Sequence, residues 1–410
     1  MRVLARSLLL ISAAALVAAC GAKPDAGVRL SGWVSSPFES DAMQEVVAGF
    51  NTLNPDGEVA YHPIQANYIE KIQLMLGTGT APDVFMLDAF WAPSLIDYDT
   101  LLPLDDYIAA DAEFEISDFE PVLLDAFRRN GKLYGIPKDY STVALFYNPD
   151  LFAAAGLSTP PGSLAELIDY ARRLTKDTDG DGSIDQYGLG ISESLEAILP
   201  FIWQNAGDLV DREGRLDIGD ETAIRTIGLL RDLRTEGIAT IPTDVGASWN
   251  MEAFGRKRVA MAVSGLWAVS FLDTTFADTP YEVAHLKAGD TESSIAYVVG
   301  YVIPKDTPRP DDAWTLLRYL TDRAGQSAWA EHDLGLPPRR SIVDQAGLLN
   351  DPIKRVFIES AEHARTWQLG SNQRLLDELQ TAMQAVFLVN EPIDEALGRA
   401  EERLDRWQAQ

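Results

Sequence analysis

Val28-Arg29-Leu30-Ser31-Gly32-Trp33-Val34 opens a pattern that runs through Glu58-Val59-Ala60-Tyr61-His62-Pro63-Ile64 to Asp83-Val84-Phe85-Met86-Leu87. Each run is short and rich in β-branched and large apolar residues, which suits a pleated, half-buried surface. Between the first two, Met43, Val46, Val47, Phe50 and Leu53 recur at helical spacing, behind a Ser40 cap and ahead of Pro55. Between the second and third, Tyr68–Leu76 predicts a short helix closed by Gly77 and Gly79. Strand, helix, strand, helix, strand is the order of a mostly parallel α/β sheet. Ligands of such sheets sit outside the carboxyl ends of the strands. That rule draws attention to Trp33–Ser36 and to Asp88–Trp91.

The alternation continues outward. A second block starts near Tyr134, with strands predicted over Thr142–Asn148, Arg258–Ser264, Tyr281–Leu286 and Ala296–Pro304. Helices are predicted over Leu164–Thr175 and Ile224–Leu233, and one from Ala313 running on toward His332. The last helix starts after Pro392 and lines up Ile393, Ala396, Leu397, Ala400 and Leu404 on one face. No internal repeat interrupts the series.

The chain has 410 residues, room for two or three domains or two large lobes. Its net charge of −28 excludes a general nucleic-acid binder, which needs a basic face to displace counterions. Arg2 and Arg6 precede the apolar run Leu8–Ala19, which is too short for an ordinary membrane span but suits an export signal. The run ends Leu16-Val17-Ala18-Ala19-Cys20-Gly21, which resembles a bacterial lipobox. The chain's single cysteine, Cys20, stands where lipid would be attached. Residues 1–19 are therefore expected to be a lipoprotein signal peptide, 20–27 a lipidated tether, and the remainder an exported body held at a membrane by lipid.

The usual catalytic signatures are missing. His62, His285, His332 and His363 show no paired spacing, and no G-x-S-x-G elbow occurs. The sharpest local motif is Asp177-Thr178-Asp179-Gly180-Asp181-Gly182-Ser183-Ile184-Asp185. Its spacing resembles the first part of an EF-hand loop, with Asp177, Asp179, Asp181, Ser183 and Asp185 as candidate calcium ligands. Position 12 is Gly188 rather than the bidentate Glu, so an acidic turn held by Asx hydrogen bonds fits equally well. Tryptophans beside turns and strand ends carry more information. A sugar offers apolar C–H faces to aromatic rings and hydroxyls to a few convergent polar groups. Trp33, Trp203, Trp267 and Trp367 have polar neighbours, whereas Trp314 and Trp329 lie in helices and belong to packing.

A set of motifs in fixed order resembles the extracellular solute-binding proteins of bacterial ABC importers, the sugar-binding group that includes maltose-binding protein. The set comprises Gly79-Thr80-Ala81-Pro82-Asp83-Val84-Phe85, Tyr134-Gly135-Ile136-Pro137-Lys138-Asp139 and Leu145-Phe146-Tyr147-Asn148-Pro149-Asp150. It continues with Trp203-Gln204-Asn205-Ala206-Gly207-Asp208, Ser264-Gly265-Leu266-Trp267, Gly300-Tyr301-Val302-Ile303-Pro304-Lys305 and Gly335-Leu336-Pro337-Pro338-Arg339. The resemblance implies a two-lobed periplasmic-binding-protein fold of type II, with interleaved α/β lobes, a hinge and a cleft between them. It places 28–139 with 294–335 in the N-terminal lobe and 143–290 with 339–410 in the C-terminal lobe. It further implies a ligand site drawn from Trp33, Ser35, Ser36, Asp88, Trp91, Asp139, Tyr140, Trp203, Asn205, Ser264, Trp267 and Tyr301. Trp367 joins them from a stretch without a matched motif.

The function so implied is capture of a mono- or oligosaccharide by a monomer that delivers it to the membrane permease, with no cofactor required; a structural calcium in the acidic loop stays open. Two alternatives stay open: a binder of a non-sugar solute such as glycerol phosphate, an osmolyte or a peptide, and an exported calcium-dependent polysaccharide hydrolase.

Overall fold

The computed structural model describes residues 27–34, 37–55, 57–211, 215–332, 334–367 and 373–408. The leader, Cys20, Ser35 and Ser36 lie outside them. The opening pattern folds as β1 (Val28–Trp33), α1 (Pro37–Leu53), β2 (Val59–Ile64), α2 (Tyr68–Thr78) and β3 (Val84–Asp88). The first helix begins at Pro37, a residue type suited to a first turn. The predicted Ser40 cap is therefore internal, its hydroxyl accepting from Gln44 Nε2 at 3.2 Å. The C-cap of α2 is Gly79, at φ 67°, where a residue without Cβ costs least.

Two elements that are far along the chain complete this first sheet: β4 (Gly135–Ser141) and, much later, Tyr297–Val302. The second sheet is built from β5 (Val143–Tyr147), β6 (Tyr187–Gly190), β7 (Ala239–Thr240), β8 (Val259–Gly265) and β9 (Glu282–Ala284), so Tyr297–Val302 is β10. The first sheet has the order β2-β1-β3-β10-β4 and the second β9-β5-β8-β6-β7. In the first, β1 is parallel to β2 and β3, but β10 runs antiparallel to both β3 and β4. The parallel reading thus holds for the opening unit, and the returning strand makes the sheet mixed.

Helices cover both sheets. In β5, Ala144 and Phe146 pack to one side while Val143, Leu145 and Tyr147 pack to the other, the alternation a pleated strand imposes. Among the second lobe's helices are α3 (Leu164–Leu174), capped by Ser163 Oγ accepting from Glu166 N, and α4 (Leu195–Gln204). Another, α5 (Trp267–Thr275), starts two residues after β8. The predicted helix from Ala313 toward His332 is two, α6 (Pro310–Thr321) and α7 (Arg323–Ala330). The break is chemical: Asp322 leaves the helical backbone and its carboxylate accepts from Gly325 N at 2.9 Å. Near the end lie α8 (Pro352–Ser360), α9 (Gln373–Val389) and α10 (Ile393–Gln408). The stripe Ile393, Ala396, Leu397, Ala400 and Leu404 is buried, as its spacing requires.

The chain passes between the sheets between Ser141 and Val143 and returns between Ala284 and Tyr297. A third strand of the connection pairs Tyr140 with Leu336. It then reaches α8, which packs on β5 and β9, and the pairing of Ser294–Ile295 with Ala364–Arg365. Sequence placed residues from 339 onward in the second lobe. Instead, Arg339 is buried in the first, donating to the carbonyls of Phe114 at 2.9 Å and Thr321 at 2.7 Å, with its guanidinium over the Phe119 ring. Ser341 Oγ donates to Asp118 at 2.6 Å, so the first lobe's contacts extend past the predicted boundary.

Candidate functional site

The carboxyl ends of β1 and β3 project one group of side chains from the first lobe. Trp33 ends β1, Asp88 ends β3, and Trp91 lies one turn further on, its N–H donating to the Asp88 carbonyl at 3.0 Å. Tyr68, in the first turn of α2, completes the group. Its hydroxyl donates to Met86 O at 2.8 Å and its ring meets Trp33 edge-on at 5.2 Å. With Ile69 and Leu87 these residues enclose a hollow of about 250 Å³.

The opposite group comes from the second lobe. Ser264 near the end of β8, Trp267 at the start of α5, Trp249, Asn250 and the turn Ser192-Glu193-Ser194 line a hollow of about 190 Å³, together with Tyr297 and Val143. Trp267 keeps 43 % of its surface exposed, unusual for a residue that normally serves packing. Its position depends on Gly265, where a Cβ would overlap the indole ring.

Tyr297 joins the two groups. Its ring meets Trp267 edge-on at 5.1 Å and Phe90, beside Asp88, at 5.7 Å. It stands at the start of β10, where the chain has just returned to the first lobe. An aromatic-walled cleft thus lies between the lobes, with Tyr297 as its floor.

Charge in the cleft is acidic. Asp88 Oδ1 accepts from Phe90 N at 2.9 Å. Burial first, then the nearby charges of Glu196 and Asp139, push its carboxyl up to about 7, against the opposing pull of that N–H. The Tyr297 hydroxyl is pushed upward by burial and by the same Glu196 and Asp88. Asn250 Oδ1 is buried without a hydrogen-bond partner, an acceptor left for a hydroxyl.

Of the expected site residues, Trp33, Asp88, Trp91, Ser264 and Trp267 therefore meet at the cleft. The others have different employment. Asp139 pairs with Lys138 and accepts from Trp329 Nε1 at 3.0 Å, while the Lys138 ammonium lies 3.6 Å from the centre of the Trp329 ring. Tyr140 is buried and its backbone holds the Leu336 bridge. Tyr301 is buried in the first lobe with its hydroxyl 3.7 Å from Met43 Sδ. Trp203 is buried in the second lobe, where the Arg365 guanidinium covers its ring. Asn205 Nδ2 donates to the carbonyls of Phe201 and Ala288, both at 2.8 Å. Its neighbour Gln204 donates to Leu286 O and Ser293 O and accepts from Ala288 N, so the Trp203–Asn205 motif clamps the returning segment. Trp367 is buried among second-lobe apolar residues.

Sequence reading missed Tyr68, Phe90, Glu196, Asn250 and Tyr297. Tyr68 lies just past the carboxyl end of β2 and the strand-end rule would have found it. Trp249 carried the same signal as its chosen counterparts, an aromatic beside a polar residue. Nothing local marks Tyr297.

The acidic loop joins α3 to β6, and none of its residues lines either hollow. Asp177 accepts from Gly180 N at 2.7 Å and Gly182 N at 2.9 Å; Asp179 from Asp181 N; Asp181 from Ser183 N; and Asp185 from Thr178 N and Oγ1. Oxygens of Asp177, Asp179 and Asp185 lie within 4.8 Å of one another. Gly188 has left the loop for β6, and a Cβ there would overlap the Ala171 carbonyl, so the loop's twelfth position cannot itself carry a ligand side chain.

The model of the bacterial extracellular solute-binding protein family matches residues 37–327. The chain belongs to that family. Among its relatives, the galactooligosaccharide-binding protein of Bacillus subtilis is 22% identical over 405 residues, covering 94% of this chain and 92% of the relative. An ABC substrate-binding protein of Listeria monocytogenes, solved with cycloalternan, superposes with a TM-score of 0.83 at 20% identity, over 93% of this chain and 99% of its own. The GacH receptor of Streptomyces glaucescens, solved unliganded and with acarbose, gives 0.79 at 25% identity, over 93% and 98%. The solute-binding fold and the two-lobed arrangement thus agree. No described helix is long and apolar enough to cross a membrane.

Proposed function

We propose that this solute-binding protein receives a mono- or oligosaccharide for an ABC importer. The observation that carries the reading is the pair of aromatic groups, Trp33, Tyr68 and Trp91 on one lobe and Trp249 and Trp267 on the other, with Asp88, Ser264 and Asn250 between them. Rings stack on the sugar's C–H faces, and the polar groups fix its hydroxyls. Closure about the 141–143, 285–296 and 336-onward connections would bury the ligand and present one shape to the permease. No bond of the ligand changes. The exported body would be held by lipid on Cys20 through the 20–27 tether, and would act as a monomer.

Ser35 and Ser36 follow β1 and are proposed to join the first wall. Asp177, Asp179 and Asp185 are proposed to hold an accessory structural calcium. A melting temperature indifferent to both calcium and chelator would remove that ion from the account.

A phosphate ester is disfavoured, since no Lys, Arg or His is among the described residues lining either hollow. A hydrolase would need a carboxyl pair, and the acids that line the hollows are Asp88 on the first wall and Glu193 on the second. Thermal melts against a carbohydrate panel, followed by chromatography of each incubated sugar, test the proposal. A raised melting temperature with the sugar unchanged supports it. Shorter products would replace binding with catalysis.

A further inference from the structure

Both walls of the cleft carry acid, and no Lys, Arg or His is among the described residues that line them. Asp88 ends β3 on the first wall, Glu193 lies in the turn that lines the second, and Glu196 occupies the first turn of α4. Lys138, next to Asp139 in β4, is itself buried and already held by Asp139 and the Trp329 ring. No cation among the described lining residues offsets Asp88.

The ligand-free cleft therefore holds an electrostatic mismatch. The Asp88 carboxylate is desolvated among aromatic rings, is repelled by Glu196 and Asp139, and receives one backbone N–H in return. A neutral hydroxyl adds one hydrogen bond and leaves the repulsion in place. A positive group relieves desolvation and repulsion together. The rings favour it too, because Trp and Tyr present electron-rich faces to cations. Asp139 is offset by Lys138, and a carboxylate or phosphate on the ligand would add a further negative charge beside Asp88 and Glu196.

Resting on the saccharide reading, we propose that the cleft selects an amine-bearing saccharide, with its ammonium against Asp88 between the aromatic walls, and rejects sugars carrying carboxylate or phosphate. The groups facing Asp88 are Glu196 from α4, Asp139 at the end of β4 and the Tyr297 hydroxyl, which stays protonated. As pH falls below 7, Asp88 takes up a proton and the preference weakens.

The test is calorimetric titration of residues 28–410 with maltose, mannobiose and galactobiose. Each is used in neutral, 6-amino-6-deoxy and 6-carboxyl form, at physiological salt and at pH 5.5, 6.5 and 7.5. On the backbone that binds, the amino form should bind at least about tenfold more tightly than the neutral form at pH 7.5. The carboxyl form should bind least, and the amino advantage should shrink toward pH 5.5. Asp88→Asn should collapse the amino-to-neutral ratio to near one, and Glu196→Gln should reduce it. A neutral form that binds as tightly as its amino form, or a ratio that survives Asp88→Asn in a folded variant, overturns the amine inference and leaves the saccharide reading standing. Absence of binding by all nine sugars overturns both.

Discussion

Asp88 shows how position alone changes a common residue. At the end of a strand, facing rings and other acids, its carboxyl holds its proton up to about pH 7, against an ordinary value of 3.8. Folded Asp88 thus binds its proton more tightly than unfolded Asp88. That favours folding fully below about pH 4 and is lost as pH rises toward 7. Asp88→Asn keeps an oxygen for Phe90 N and removes the charge. It should raise stability at pH 7.5 by roughly 2 kcal/mol and flatten the stability profile between pH 4 and 7, as read by urea unfolding. A less stable variant with an unchanged profile would contradict this. Trp267→Ala removes a ring that is 43 % exposed. It should weaken saccharide binding about tenfold while the melting temperature stays within a few degrees. Equal affinity in the folded variant would take Trp267 out of the site. Both residues were legible in the sequence because strand ends point at ligands. Trp203 and Asn205 were not, because their partners lie about 80 residues away in the returning segment, and no local pattern reports a contact of that range.

At the scale of elements, the β8–α5 corner is one device. Gly265 leaves the space that the Trp267 ring fills. Gly265→Ala should therefore displace the ring and weaken binding about as much as removing it, at a stability cost below about 1 kcal/mol because an exposed ring can move. Unchanged affinity would show that the corner tolerates the methyl. The acidic loop is a second device. Asp177 accepts two backbone N–H groups, so Asp177→Ala should lower the melting temperature by about 2–4 °C in calcium-free buffer. No change would mean that the loop is held by its other hydrogen bonds. Element type was largely readable from periodicity, as the buried stripe of α10 shows. Ends were less so. Asp322 caps α7 and breaks a helix that looked continuous, and the helix signal placed at Ser40 starts at Pro37.

At the scale of the molecule, the first sheet is completed by a strand, β10, that returns after the second sheet has been built, and the cleft lies at that return. Composition and pattern predict two α/β blocks. They do not reveal that β10, some 200 residues after β3, becomes its neighbour, since pairing partners are set by long-range packing rather than by local sequence. That return puts Tyr297 against Phe90 and Trp267, between the walls. A ligand that contacts both walls should draw them together, so small-angle scattering should show a smaller radius of gyration with saccharide than without. The central claim is that the cleft binds a saccharide without altering it. It is tested most directly by calorimetric titration of a carbohydrate panel into residues 28–410, with chromatography of the sugar recovered from the cell. The account predicts one saccharide bound per chain and recovered intact. Titrations without heat across the panel, or recovery of shorter sugars, would contradict it.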